Sequence, residues 1–89
     1  MPWKFEKDPD AVKDYSIDWS AWLGEDTIDT STWSVPDGIT KDDDSNTTTS
    51  TTIWVSGGTA GQEYKLVNHI VTAAGREEDE SLVFFIREK

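Results

Sequence analysis

Tyr15, Ile17 and Trp19 alternate with Asp14, Ser16 and Asp18. A period of two marks a strand with one buried face. Ser20 to Gly24 follows, a serine start and glycine stop around one helical turn that would tuck Trp22 and Leu23 against a sheet edge. Thr27 to Val35 has a β composition, but its apolar phase shifts between Ile28 and Trp33, which predicts a bulge near Asp29 to Ser31. Pro36-Asp37-Gly38 reads as a tight turn, after which Ile39 restarts a short strand. Asp42-Asp43-Asp44-Ser45-Asn46 reads as a second turn. The threonine run Thr47 to Thr52 continues into Ile53-Trp54-Val55, so a strand over Thr47 to Ser56 is expected rather than a linker, with Thr51, Ile53 and Val55 on one face. Beyond the glycines at 57, 58 and 61, Tyr64, Leu66, Asn68 and Ile70 alternate with Val67, His69 and Val71. Ala74 to Glu80 reads as a turn. Ser81 to Arg87 then sets Leu82, Phe84 and Ile86 against Val83 and Phe85.

Nowhere do apolar residues recur at helical spacing over several turns. Short strands with frequent turn signals predict an all-β sandwich or small barrel of about six or seven antiparallel strands, with one short helical turn near Ser20–Gly24. The organisation expected is a loosely ordered N-terminal arm over residues 1–13 and a single β domain over 14–89. Residues 1–13 are charged, carry Pro2 and Pro9 and show no period, so the arm is not expected in a central strand. Trp3 and Phe5 are its apolar contacts. They suit either a neighbouring subunit or the arm's own domain.

Eighty-nine residues hold one small core. Without cysteine there is no disulfide, cysteine metal site or thiol nucleophile. Eight Lys and Arg against 18 Asp and Glu give a net charge of −10. That balance opposes nucleic acid and anionic membrane surfaces as partners. No apolar run is long enough to span a bilayer, and Met1 to Asp10 has no signal-peptide core. Five Trp, two Tyr and three Phe argue against disorder despite the acidity.

Two patterns carry a resemblance. Gly57-Gly58-Thr59-Ala60-Gly61-Gln62-Glu63-Tyr64-Lys65-Leu66 resembles the tyrosine corner of immunoglobulin-like sandwiches, where a phenol opening a strand bonds backbone a few residues upstream. Tyr64 is therefore expected to be structural. The string Asp14-Tyr15-Ser16-Ile17-Asp18-Trp19-Ser20-Ala21-Trp22-Leu23-Gly24, followed by Asp26-Thr27-Ile28 and Ser31-Thr32-Trp33-Ser34-Val35, resembles a family of small tailed-phage and prophage proteins. These are encoded among virion structural genes and labelled fibre or immunoglobulin-like. The likeness runs over about Lys7 to Lys89. It implies a non-enzymatic virion structural protein: a capsid decoration, or a neck, tail or fibre component. The implied partners are other virion proteins or a second copy of the chain, and the implied location is the virion. Asp42 to Asn46 and Glu77 to Glu80 are more acidic than the family pattern.

Candidate chemistry is sparse. The one histidine, His69, lies mid-strand among apolar neighbours, and no serine occupies a nucleophile elbow. Carboxylates are plentiful, but a small sandwich offers no deep cleft for paired acid catalysis. Asp42, Asp44 and Asn46 open like a calcium loop, but Thr47 and Ile53 stand where its glycine and bidentate acid belong. No cofactor or metal is expected. Trp19 and Trp33 are in phase with core positions and are expected to be structural. Trp54 falls opposite Ile53 and Val55, on a face that meets solvent or a partner. Interface and core readings of Trp54 both stay open at this point. Its alternative function is a carbohydrate-binding or host-adhesion platform built on exposed tryptophan.

Overall fold

The chain folds as β1 (Trp3–Lys7), β2 (Lys13–Asp18), α1 (Ser20–Leu23), β3 (Ile28–Ser34), β4 (Ile39–Asn46), β5 (Ser50–Gly57), β6 (Glu63–Thr72) and β7 (Glu77–Ile86). These elements come from a computed structural model that describes residues 3–88, with Trp3 and Lys4 described by their backbone alone. One sheet has the order β1-β7-β6-β3 and the other β2-β5-β4. Ile17, Ile53 and Val55 from the smaller sheet meet Leu66, Ile70, Leu82, Phe84 and Ile86 from the larger in one core, which Trp19 and Leu23 close at one end. Strands β2, β5, β6 and β7 follow the apolar alternation of the sequence, and β3 carries a register shift between Ile28 and Thr30.

Three expectations need correction. Residues 3–7 do not form a loose arm. They are β1, an edge strand in parallel register with β7, from Trp3 beside Leu82 to Lys7 beside Ile86. The parallel register puts Phe5 and Lys7 in the inward phase, opposite Phe84 and Ile86. Second, Asp42 to Asn46 is not a turn but the body of β4, with Asp43 opposite Trp54 and Asp44 opposite Ile53, after a bulge that absorbs Asp42. The reversal falls instead at Thr47–Thr49, where Thr47 Oγ1 accepts the N–H groups of Thr49 and Ser50 at 3.2 and 3.0 Å. Third, Glu77 to Glu80 begins β7 rather than ending a turn, with Asp79 opposite His69. Acidic residues tolerate strands whose faces or edges reach water, and pairing outweighs their weak intrinsic preference.

Four polar sets hold these elements in place. At the centre, the fully buried Asn68 uses every hydrogen-bonding position of its amide. Its Oδ1 accepts Trp19 Nε1–H at 3.2 Å and the Thr51 hydroxyl at 2.7 Å. Its Nδ2 donates to Ser31 Oγ at 2.9 Å and to the Thr32 carbonyl at 3.0 Å. Trp19 Nε1 also reaches Thr51 Oγ1 at 3.2 Å. The set therefore spans both sheets.

Near one end, Lys7 is only 1% exposed. Its Nζ donates to the carbonyls of Gly57 and Asp8 at 2.8 and 2.9 Å. Burial pushes its pKa below the usual lysine value, against the opposing pull of Asp8, Asp10 and Asp42.

Tyr64 forms the third set. Its hydroxyl oxygen accepts the Thr59 N–H at 3.0 Å, so the partner of the corner is an amide rather than a carbonyl. Its ring lies against two glycines with positive φ. A Cβ on Gly38 would stand 2.8 Å from Tyr64 Cε1, and one on Gly58 would stand 3.5 Å from Tyr64 Cε2 and 2.7 Å from Ile86.

The fourth set lies at the α1 end. Asp26 Oδ1 accepts the N–H groups of Thr27 at 2.8 Å and Ala74 at 3.2 Å, and Oδ2 takes Arg76 Nε–H at 3.1 Å. Arg76 also donates to the Leu23 carbonyl at 2.9 Å and stacks 4.3 Å from the centre of the Trp22 ring. Hydrogen bonding to Asp26, from the Thr72 hydroxyl first and then from Thr27, Arg76 and Ala74, holds its carboxyl down at about 2 against the opposing effect of burial.

Asn68→Ala strips partners from the central set and should lower unfolding free energy by about 2–4 kcal/mol in denaturant titration. Tyr64→Phe removes one bond to a solvent-accessible amide and should lower Tm by about 4–8 °C, the shift expected of one ordinary hydrogen bond in a domain this size. An unchanged Tm would show that the corner bond contributes nothing. Asp26 has a depressed folded pKa, so its contribution is complete above the ordinary value of 3.8 and fades as pH falls through about 2. Asp26→Asn should therefore be less stable than wild type at pH 7, and the gap should close between pH 4 and pH 2 in calorimetry.

Candidate partner-binding surface

On β5 the inward phase belongs to Thr51, Ile53 and Val55, and the outward phase to Thr52, Trp54 and Ser56. Trp54 is accordingly 41% exposed, the largest side chain on the outer face of the smaller sheet. Register places a carboxylate on each side of it: Asp14 directly opposite on β2 and Asp43 directly opposite on β4. Directly opposed side chains on neighbouring strands sit with Cβ atoms about 4.5–5.5 Å apart, so both acids flank the indole. The two cations of this sheet, Lys13 and Lys41, are each opposite Val55 and so belong to the inward phase at the edges. Lys41 Nζ is 3.3 Å from Asp44 Oδ1. Among the described residues of β2, β4 and β5, the outward phase therefore carries acids, hydroxyls and one indole, with no lysine or arginine.

The other predicted interface residues lie elsewhere. Phe5 packs into the core, with ring centroids 4.9 Å from Tyr15 and 5.7 Å from Phe84. The reading of Phe5 as a contact for a neighbouring subunit is corrected: the parallel register turns it inward against its own domain. The Trp3 side chain lies outside the described residues. Trp19 is buried in the central network, with its ring also edge-on to Trp22 at 5.7 Å. Trp33 packs against the core, and its Nε1–H is buried with no acceptor among the described residues. Tyr64 holds the corner described above.

The larger sheet turns His69 outward rather than into an apolar setting. Its two ring nitrogens meet Asp79 and Glu77. These carboxylates, Asp79 first, raise its pKa above the ordinary value of 6.5. Any stabilisation from this pair is complete below that value and fades as pH rises through the raised one. Asp42, Asp44 and Asn46 are strung along an edge strand, with Asp44 paired to Lys41. An extended strand spreads alternate residues apart instead of curling their oxygens around one cation.

Beside α1, a groove of about 400 Å³ is lined by Trp19 and Trp22 on one side and by Glu78 and Glu80 on the other. It adjoins the part of β7 that precedes Leu82, where the described pairing with β1 begins. There the N–H groups of Asp79 and Ser81 donate to Glu78 Oε1 and Glu80 Oε1 at 3.0 and 3.3 Å. Neither the Asp26–Arg76–Trp22 clamp nor these carboxylate caps announced themselves in the sequence. Asp26 and Arg76 are 50 positions apart and meet only through the fold.

Comparison with known proteins gives a fold neighbour and a family. A solved structure of the PKD domain from KIAA 1837 protein aligns with a TM-score of 0.56 at 15% identity, covering 99% of this chain and 81% of that one. At that identity the likeness speaks for the fold, an immunoglobulin-like sandwich. Among curated proteins none matches the chain. A family described as podophage GP4 fiber-tail adaptor protein gp77 matches residues 7–85. With the match running from the end of β1 almost to the end of β7, the chain belongs to the gp77 fiber-tail adaptor family of podophages.

Proposed function

We propose that this protein is a non-enzymatic structural component of a podophage virion that joins fibre to tail by binding other virion proteins. The family match over residues 7–85 is the observation that carries this reading. The surface chemistry agrees with it. A protein that connects others needs surfaces more than clefts, and this sandwich turns an exposed indole and unpaired acids outward from a core locked by buried polar bonds. The histidine has both ring nitrogens committed to carboxylates, which suits a surface ion cluster rather than a general base. The net charge of −10 favours basic partner surfaces and disfavours packaged nucleic acid.

Mass spectrometry of purified particles tests the reading. The protein should be present in mature virions at a fixed copy number relative to the tail and fibre proteins. It should also leave the particle together with the fibres when these are stripped. Absence from mature particles would overturn the assignment.

A further inference from the structure

Among the described residues, one complete set of indole, guanidinium and carboxylate is present. Arg76 stacks 4.3 Å from the Trp22 ring centre and bonds Asp26 at 3.1 Å. On the opposite sheet, Trp54 has the indole and two carboxylates in register, and no cation of its own chain faces it among the described residues. The Asp14 side chain has no hydrogen bond or ion pair among the described residues. Asp43 gives only Oδ1 to the Asp44 N–H, at 2.9 Å. We propose that Trp54, Asp14 and Asp43 form a receptor for an arginine side chain of a partner virion protein. This rests on the adaptor reading for the nature of the partner, but the chemistry of the site stands on its own residues.

Arginine suits the site better than lysine. A guanidinium is planar and weakly hydrated, so it can lie on the indole face while its edge N–H groups reach carboxylates on both sides. An ammonium is a compact, strongly hydrated charge that satisfies the acids without covering the ring. The surrounding hydroxyls of Thr52 and Ser56 leave the ring as the main apolar area of the face. Exposed tryptophan of this kind is typical of interface anchors. The groove beside α1 is the weaker candidate for the same ligand. Trp22 is already covered by Arg76, and Glu78 and Glu80 already accept the amides of their own strand.

The test is a titration of the full-length protein, labelled with 15N, with N-acetylarginine amide and, separately, N-acetyllysine amide. The indole N–H signal of Trp54 should move saturably with the arginine probe. The lysine probe should bind roughly fivefold more weakly, as expected where stacking is lost. The doubly substituted Asp14→Asn, Asp43→Asn protein keeps the shape of both side chains and should lose the response, while the Trp22 signal stays still in both proteins. Equal responses to the two probes, or an undiminished response in the double variant, would overturn the arginine site. Particle assembly separates this from the functional reading. If wild-type protein is incorporated and both Trp54→Ser and the double variant are excluded, the site is the docking point. If both variants enter particles at wild-type levels, the docking proposal falls and the adaptor reading stands. If wild type itself is absent from particles, the adaptor reading falls and takes the virion partner with it.

Discussion

A primary amide sealed inside a sandwich must find four partners, and Asn68 finds them on two other strands, β3 and β5, and at the entry to α1. That requirement ties the separation, rotation and register of the two sheets to one side chain. Apolar burial drives the sheets together but is indifferent to small slips between them, because area changes little when neighbours slide. A polar network is not indifferent. Each slip leaves a buried donor or acceptor unpaired, and an unpaired group in low dielectric is expensive. The remaining polar sets depend on that alignment. Lys7 can reach the Gly57 carbonyl only if β1 and β5 face each other correctly, and Asp26 can meet Arg76 only if the β6–β7 turn arrives over the start of β3.

Much of this architecture was legible in the chain because one face of a half-buried strand is apolar and the other is not. The alternation of Tyr15, Ile17 and Trp19, or of Leu82, Phe84 and Ile86, reports directly on the core. The phase change between Ile28 and Trp33 marked the β3 irregularity for the same reason. Strand β1 carries no such signal because Phe5 shares its inward phase with Lys7. A lysine at an inward position hides a period of two, and the carbonyls of Gly57 and Asp8 make its burial acceptable. Strand β4 and the start of β7 were hidden by their acids. Asp and Glu are read locally as turn formers or breakers, whereas their strand state is decided by partners on the neighbouring strand, such as Trp54 opposite Asp43 and His69 opposite Asp79.

The candidate site was legible to a similar depth. The outward phase of Trp54 follows from Ile53 and Val55 on either side of it. Its two flanking carboxylates do not follow from any local pattern, because they depend on the pairing of β5 with both neighbours and on the bulge that skips Asp42. Were β4 regular through Asp42, Lys41 and Asp43 would share a phase, and the outer face would lose its single sign. For Phe5 the sequence left two homes open, and the parallel pairing of β1 with β7 chose the one inside the domain.

The glutamates on the stretch of β7 before Leu82 have a consequence for the protein before it meets any partner. A sheet edge with dangling amides is the usual seed for strand-by-strand polymerisation. Here Glu78 and Glu80 occupy the amides of Asp79 and Ser81, and the charges along the edge repel the same edge of another copy. Newly made copies can therefore accumulate in a crowded cell without templating one another into fibrils, and the pool stays available for ordered assembly.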